Sequence, residues 1–159
     1  MALVVTPGTT ADSFATVEFI LAYLDTRDPD GLVQGLKTDA VENHAKRASE
    51  LLDGLNWNGA KVEATNSLRW PRQYVYDKDA NLLDSATIPL FLQRATSEFV
   101  YALANTDTTD TDTEFRKIDI GSLKMEMESA GVNDGPIPEQ VLRMVQFYQP
   151  ISGAVLVRG

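Results

Sequence analysis

The 159-residue sequence contains no cysteine and a single histidine. The first absence removes disulfide frameworks, thiol nucleophiles and cysteine-rich zinc sites together, and it fits folding and assembly in a reducing cytoplasm. Also missing is any apolar run near the ~20 residues that span a bilayer, so the chain is expected to be soluble and to leave membranes alone. The opening Met-Ala-Leu-Val-Val-Thr-Pro-Gly has no basic flank and only a brief apolar run, unlike a secretion signal. Positive charge is scarce as well: 14 lysines and arginines stand against 23 acids, a net charge of −9. DNA binding needs cations that displace counterions from phosphates, so tight, general nucleic-acid binding is disfavoured, although a local basic patch can survive on an acidic surface.

What remains is the make-up of a folded domain. Hydrophobic residues at 43% and charged residues at 23% lie in the globular range. The length suits one domain over 1–159, with 149–159 as a docking tail. After a short extended piece at Leu3–Val5 and a Pro7-Gly8 turn, Thr16 is a suitable N-cap for a first helix. In that helix Val17, Ile20, Leu21 and Leu24 recur at helical spacing until Asp28-Pro29-Asp30-Gly31 stops the run. Thr38 or Asp39 opens a second helix with an apolar stripe of Val41, Ala45, Ala48, Leu51, Leu52 and Leu55. Gly54 and Asn56-Trp57-Asn58-Gly59 end it, and about thirty irregular residues follow, with a turn expected at Asp77–Asn81.

A third helix is expected from Ile88-Pro89, with proline at its first position, to about Ala104, with Phe91, Leu92, Ala95, Phe99, Ala102 and Leu103 on one face. Residues 105–114 are acidic, of low complexity and without a large apolar side chain, which predicts a mobile loop. Alternation at Ile118, Ile120, Leu123, Met125 and Met127 around Gly121-Ser122 predicts a β-hairpin within 115–128. Ile137-Pro138-Glu139 then opens a fourth, short helix carrying Val141, Leu142, Val145 and Tyr148, ended by Pro150. The fold class expected is mainly α: a small bundle of about four helices, one β-hairpin and an extended C-terminal tail.

Catalytic chemistry finds no constellation. His44 sits alone on the second helix, no serine lies in a nucleophile elbow, and there is no glycine-rich phosphate loop. No catalytic residue and no cofactor are assigned. Asp107, Asp110, Asp112 and Glu114 are hard oxygen ligands, but they lack the glycine and distal glutamate of an EF-hand, so a solvated acidic stretch is expected and no metal. The best binding signal is Lys61, Arg69, Arg72 and Lys78 interleaved with Trp57, Trp70, Tyr74 and Tyr76, since cations beside aromatic platforms are what single-stranded DNA recognition uses. The competing reading has both tryptophans capping the helical core and the arginines pairing with the abundant carboxylates.

The order of Ala15-Thr16-Val17, Arg47-Ala48-Ser49-Glu50-Leu51-Leu52-Asp53, Trp57-Asn58-Gly59, Leu68-Arg69-Trp70-Pro71-Arg72 and Ile88-Pro89 followed by Ala95 and Glu98 resembles a phage protein family. That family is catalogued as DnaT-like single-stranded-DNA-binding proteins, and its members often look like head-tail connector, or adaptor, proteins of tailed bacteriophages. The resemblance implies a non-enzymatic structural protein, made in the bacterial host cytoplasm and placed at the head-tail interface of the virion. There about twelve copies would form a ring between the portal protein and the next neck or tail protein. DNA would pass through the channel without specific binding, kept from sticking by the acidic surface. The tail, through Ile151, Ala154, Val155, Leu156, Val157 and Arg158, would add a strand to an edge on the portal. The alternative implied by the family's catalogued description is a single-stranded-DNA-binding module using Arg69, Trp70, Arg72 and Tyr74.

Overall fold

A computed structural model describes residues 2–116 and 136–150, with side chains of 107–116 left out of account. The expected hairpin at 115–128, apart from the last residues of a helix ending at Arg116, and the tail from Ile151 onward lie outside the described residues.

Helix α1 (Val17–Leu24) starts where the sequence predicts: the Thr16 Oγ1 accepts the Phe19 N–H at 3.1 Å. Its stop comes from Asp28. This buried carboxylate accepts the backbone N–H groups of Leu32, Val33 and Gln34, so the turn after the helix keeps its donors satisfied without water. Helix α2 (Thr38–Asp53) buries Val41, Ala45, Ala48, Ser49 and Leu52 on one stripe. Ser49 is polar yet fully buried because its hydroxyl accepts the Phe14 N–H at 3.0 Å, pinning the N-terminal segment across the bundle.

After α2 the chain makes a two-residue antiparallel ladder, β1 (Ala60–Lys61) with β2 (Arg72–Gln73). Helix α3 (Leu90–Arg116) then runs through the centre, packing against α1, α2 and a short α4 (Glu139–Val145). Leu92, Ala95, Phe99, Val100 and Ala104 are its buried face, and each large apolar side chain so buried contributes roughly 1.5–3 kcal/mol. A 3-10 turn, Gln146–Tyr148, follows α4. The architecture is the expected mainly α one, with four helices and a small antiparallel pair among the described residues.

Two expectations need correction. Residues 105–114 continue α3 as helix instead of leaving it as a loop: no proline or glycine interrupts 90–116, and helical hydrogen bonds are local, so a segment without core anchors can still extend a helix already nucleated by its buried half. Pro89 and Pro138 precede their helices and do not occupy the first helical position. Each carbonyl accepts an N–H of the first turn, from Leu92 and Gln93 at Pro89 and from Leu142 at Pro138.

One buried carboxylate joins three helices. Glu98 on α3 accepts the Tyr23 hydroxyl of α1 at 3.0 Å, the Arg27 guanidinium at 2.5 Å and the Gln140 amide of α4 at 3.1 Å. Arg27 also lies over the Tyr23 ring, 4.9 Å from its centre. Its side chain is 53% exposed, so much of its charge attraction is screened and the hydrogen bonds carry the tie. Glu98→Ala is expected to lower stability by about 1–3 kcal/mol in urea unfolding, because Tyr23, Arg27 and Gln140 lose the one buried acceptor they share. Burial first, then the hydrogen bond and charge of Glu98, push the Tyr23 phenol above its ordinary 10.0. A raised phenol contributes stability that is complete below pH 10 and is lost as pH rises through the folded value. Tyr23→Phe should therefore flatten the alkaline limb of the stability profile, and an unaltered limb would count against this assignment.

Candidate nucleic-acid interface

The segment between α2 and α3 has little regular structure, so its backbone must find other partners. Arg72 supplies several. Its Nε donates to the Asn58 carbonyl at 2.7 Å and its Nη2 to the Gly59 carbonyl at 2.8 Å, with longer bonds to Trp57 and Arg69 carbonyls at 3.4 Å. The guanidinium thus sews β2 to the turn that ends α2. Burial is the larger influence on this group, lowering its pKa, with Arg69 acting the same way and Asp53 opposing. Gly59 allows the close approach: its φ is +74°, and a Cβ there would run into the Gln73 carbonyl and the Val75 side chain.

Trp70 is 1% exposed and stands edge-on to Trp57 at 5.4 Å and to Phe91 at 5.5 Å. Phe91 in turn stacks on Tyr148 at 3.8 Å. This ladder of rings fixes the irregular segment against α3 and the C-terminal turn. The peptide between Trp70 and Pro71 is cis. Arg69 stays exposed; its backbone N–H donates to Asp53 at 2.5 Å and its Nη1 to the Leu55 carbonyl at 3.3 Å. Burial pushes the Asp53 carboxyl up, against the Arg69 hydrogen bond and the charges of Arg69, Lys61 and Arg72, which pull it down.

Of the four residues expected to hold a DNA strand, Arg69, Trp70, Arg72 and Tyr74, the structure places all in one segment but gives them different duties. Trp70 has no free ring face for a base, and Arg72 spends its donors on four backbone carbonyls. The competing reading is right about the tryptophans, since Trp57 and Trp70 are both buried; Arg72, however, bonds to carbonyls in place of carboxylates. Tyr74 is 67% exposed at φ +62°.

Around Tyr74 lies a surface that the sequence did not single out. Six large apolar side chains are exposed among the described residues, Tyr74, Tyr76, Leu82, Leu90 and Phe147 among them. Tyr76 and Leu82 face each other in an antiparallel bridge. The turn between them is built on Asp77, which accepts the Asp79 and Asn81 N–H groups and is held below the usual carboxylate range mainly by the Asn81 bond. Lys78 on that turn lies over the Phe147 ring, 5.8 Å from its centre. A cleft of about 350 Å³ opens beside them, lined by Asp77, Leu83, Asp84, Leu90, Phe91 and Tyr148 among others. Burial raises the Tyr148 phenol, and the Asp77 charge adds to it. Tyr76 and Lys78 are legible in the sequence as members of the basic-aromatic cluster; Leu82, Leu90 and Phe147 carry no local signal and join them only by folding.

Comparison with family models matches residues 1–156 to the family described as "Putative DnaT-like ssDNA binding protein". The match covers nearly the whole chain, and the protein belongs to that family. It speaks for the DnaT-like half of the resemblance and carries nothing about head-tail connectors. Comparison with curated proteins and with solved structures finds no match.

Arg72→Ala leaves several carbonyls short of a charged donor and is expected to lower stability by about 1.5–3 kcal/mol in chemical denaturation. Arg72→Lys should recover less than half of that, since one ammonium cannot reproduce the guanidinium fork. A loss under about 0.5 kcal/mol for the alanine variant would mean that the carbonyls find other partners.

Proposed function

We propose, from membership of this family and from the exposed aromatic side chains, that the protein binds single-stranded DNA by stacking bases on Tyr74, Tyr76 and Phe147, with Lys78 and Arg69 as the neighbouring cations. The observation that carries this reading is the family match over 1–156. Stacking is the mode consistent with a net charge of −9: each base on an aromatic ring contributes roughly 1–3 kcal/mol whatever its sequence, and it needs few phosphate contacts. Trp70 and Arg72 act behind this surface, holding the segment that presents it.

The second reading is the structural one, a head-tail connector forming a ring with copies of itself between a phage portal and the next tail component. It is favoured by the excess of acids, which weakens adhesion to passing DNA, and by an apolar surface of the kind that meets protein partners. On this reading the tail 149–159, including Ile151, Ala154, Val155, Leu156, Val157 and Arg158, engages the portal, and the protein resides in the virion.

Fluorescence anisotropy with a labelled oligonucleotide separates the two. The first reading expects micromolar binding that weakens by less than about tenfold between 50 and 200 mM salt, because only about two phosphates are neutralised. Tyr74→Ala and Tyr76→Ala should each weaken it by about 5- to 150-fold, the equivalent of one lost stacking contact, while Arg72→Lys acts through stability alone. Absence of binding, with rings seen by electron microscopy when the protein is mixed with a portal, would establish the connector reading in its place.

A further inference from the structure

We infer that the cleft of Asp77, Asp84, Leu90, Phe91 and Tyr148 is a guanine subsite, in which the Asp84 carboxylate accepts the N1–H and the N2 amino group of one base while the Tyr148 hydroxyl donates to its O6. This rests on the single-stranded-DNA reading and adds to it a preference among bases.

The place and size of the cleft suit a base beside a stacked strand. Its volume of about 350 Å³ lies at the low end of small-molecule sites, roughly 300–1,000 Å³. Tyr76 precedes Asp77 in the chain, and Phe147 precedes Tyr148 with the two ring centres 5.2 Å apart, so side chains proposed to stack bases adjoin side chains that line the cleft. Pro89, Leu90 and Phe91 supply apolar wall, and the stacking of Phe91 on Tyr148 holds it in shape. The two carboxylates repel phosphate, which leaves the base as the part of a nucleotide that can enter.

The pattern of donors and acceptors selects the base. An ionised carboxylate has about four acceptor positions, two on each oxygen. Asp84 uses one on each, Oδ1 for the Ala86 N–H and Oδ2 for the Thr87 hydroxyl, both at 2.9 Å, and keeps one on each for a bidentate partner. Asp77 is more heavily engaged: its Oδ1 accepts the Asp79 and Asn81 N–H groups and its Oδ2 the Asn81 amide. Backbone N–H bonds, chiefly from Asn81 to Asp77 and from Ala86 to Asp84, hold both carboxyls below the usual range, so both are charged at neutral pH. A bidentate carboxylate needs two adjacent donors on the Watson–Crick edge. Guanine has them in N1–H and its N2 amino group, whereas adenine and cytosine set one amino group beside an acceptor nitrogen and thymine has a single N–H between two carbonyls. Tyr148 completes the match: burial and then the Asp77 charge raise its phenol, which keeps its proton, and O6 requires a donor. A guanidinium from a protein partner would also meet Asp84, but it has no acceptor to offer the phenol.

The test is anisotropy on the full chain with thymine oligonucleotides that carry one guanine or none. One guanine should tighten binding by about 5- to 150-fold, the range of a good bidentate base contact. The factor should be the same at 50 and 200 mM salt, because no phosphate is added. Inosine in the same position lacks the N2 amino group and should lose most of the gain. Asp84→Asn keeps an acceptor for the Ala86 N–H and should bring the guanine-to-thymine ratio down to that of inosine, while Tyr148→Phe should lower the ratio by about 2- to 12-fold, one neutral hydrogen bond. Equal binding with and without guanine, or of guanine and inosine, would overturn the inference and leave the stacking proposal standing; this arm uses the unaltered protein and decides even where a variant does not fold. If no oligonucleotide binds, both fall together. Displacement of the guanine strand by free arginine as readily as by deoxyguanosine would overturn it in favour of a protein side chain.

Discussion

The demand that buried backbone groups find partners governs the segment between α2 and α3. Between α2 and α3 the chain forms only a two-residue ladder, too little to satisfy its own carbonyls. Arg72 meets the shortfall with a side chain that offers several donors in a fixed fork, and Trp70 beside it fills the space between Trp57 and Phe91. Both residues are engaged within the fold, and together they tie an irregular segment that carries exposed aromatic side chains. Within the stretch Leu68-Arg69-Trp70-Pro71-Arg72, Trp70 and Arg72 are accordingly engaged in holding the fold, while Arg69 stays exposed.

That division explains how an acidic protein can belong to a family described by DNA binding. Side chains that look basic and aromatic in sequence are partly consumed internally, and the groups left outside are mostly tyrosine, leucine and phenylalanine with few cations among them. On the proposed reading, a surface of this composition would discriminate by ring stacking and apolar contact, with charge a modest correction. Its acidic neighbours, Asp77 and Asp84, are occupied in capping the turns that shape it.

The helices were legible because each carries a local cause: Thr16 ahead of an apolar run, a stripe from Val41 to Leu52, prolines at 89 and 138. The 105–114 stretch misled because absence of core anchors argues about packing, whereas helix continuation depends on backbone bonds that polar residues make equally well. The exposed surface was half legible. Tyr74, Tyr76 and Lys78 are close in sequence, but Leu90 and Phe147 lie far along the chain and join them through the stacking of Phe91 on Tyr148, a contact no local pattern encodes. Trp70 illustrates the opposite limit: residue type suggested a platform, and only packing reveals that both of its faces are taken.

Glu98 has a mechanical consequence. Because one carboxylate accepts from Tyr23 of α1 and Gln140 of α4 at once, sliding α4 along α3 breaks a hydrogen bond at an acceptor that α1 shares. Tension on the chain after Pro150 therefore meets, beside the packing of α4 on α3, a hydrogen bond whose acceptor α1 also uses.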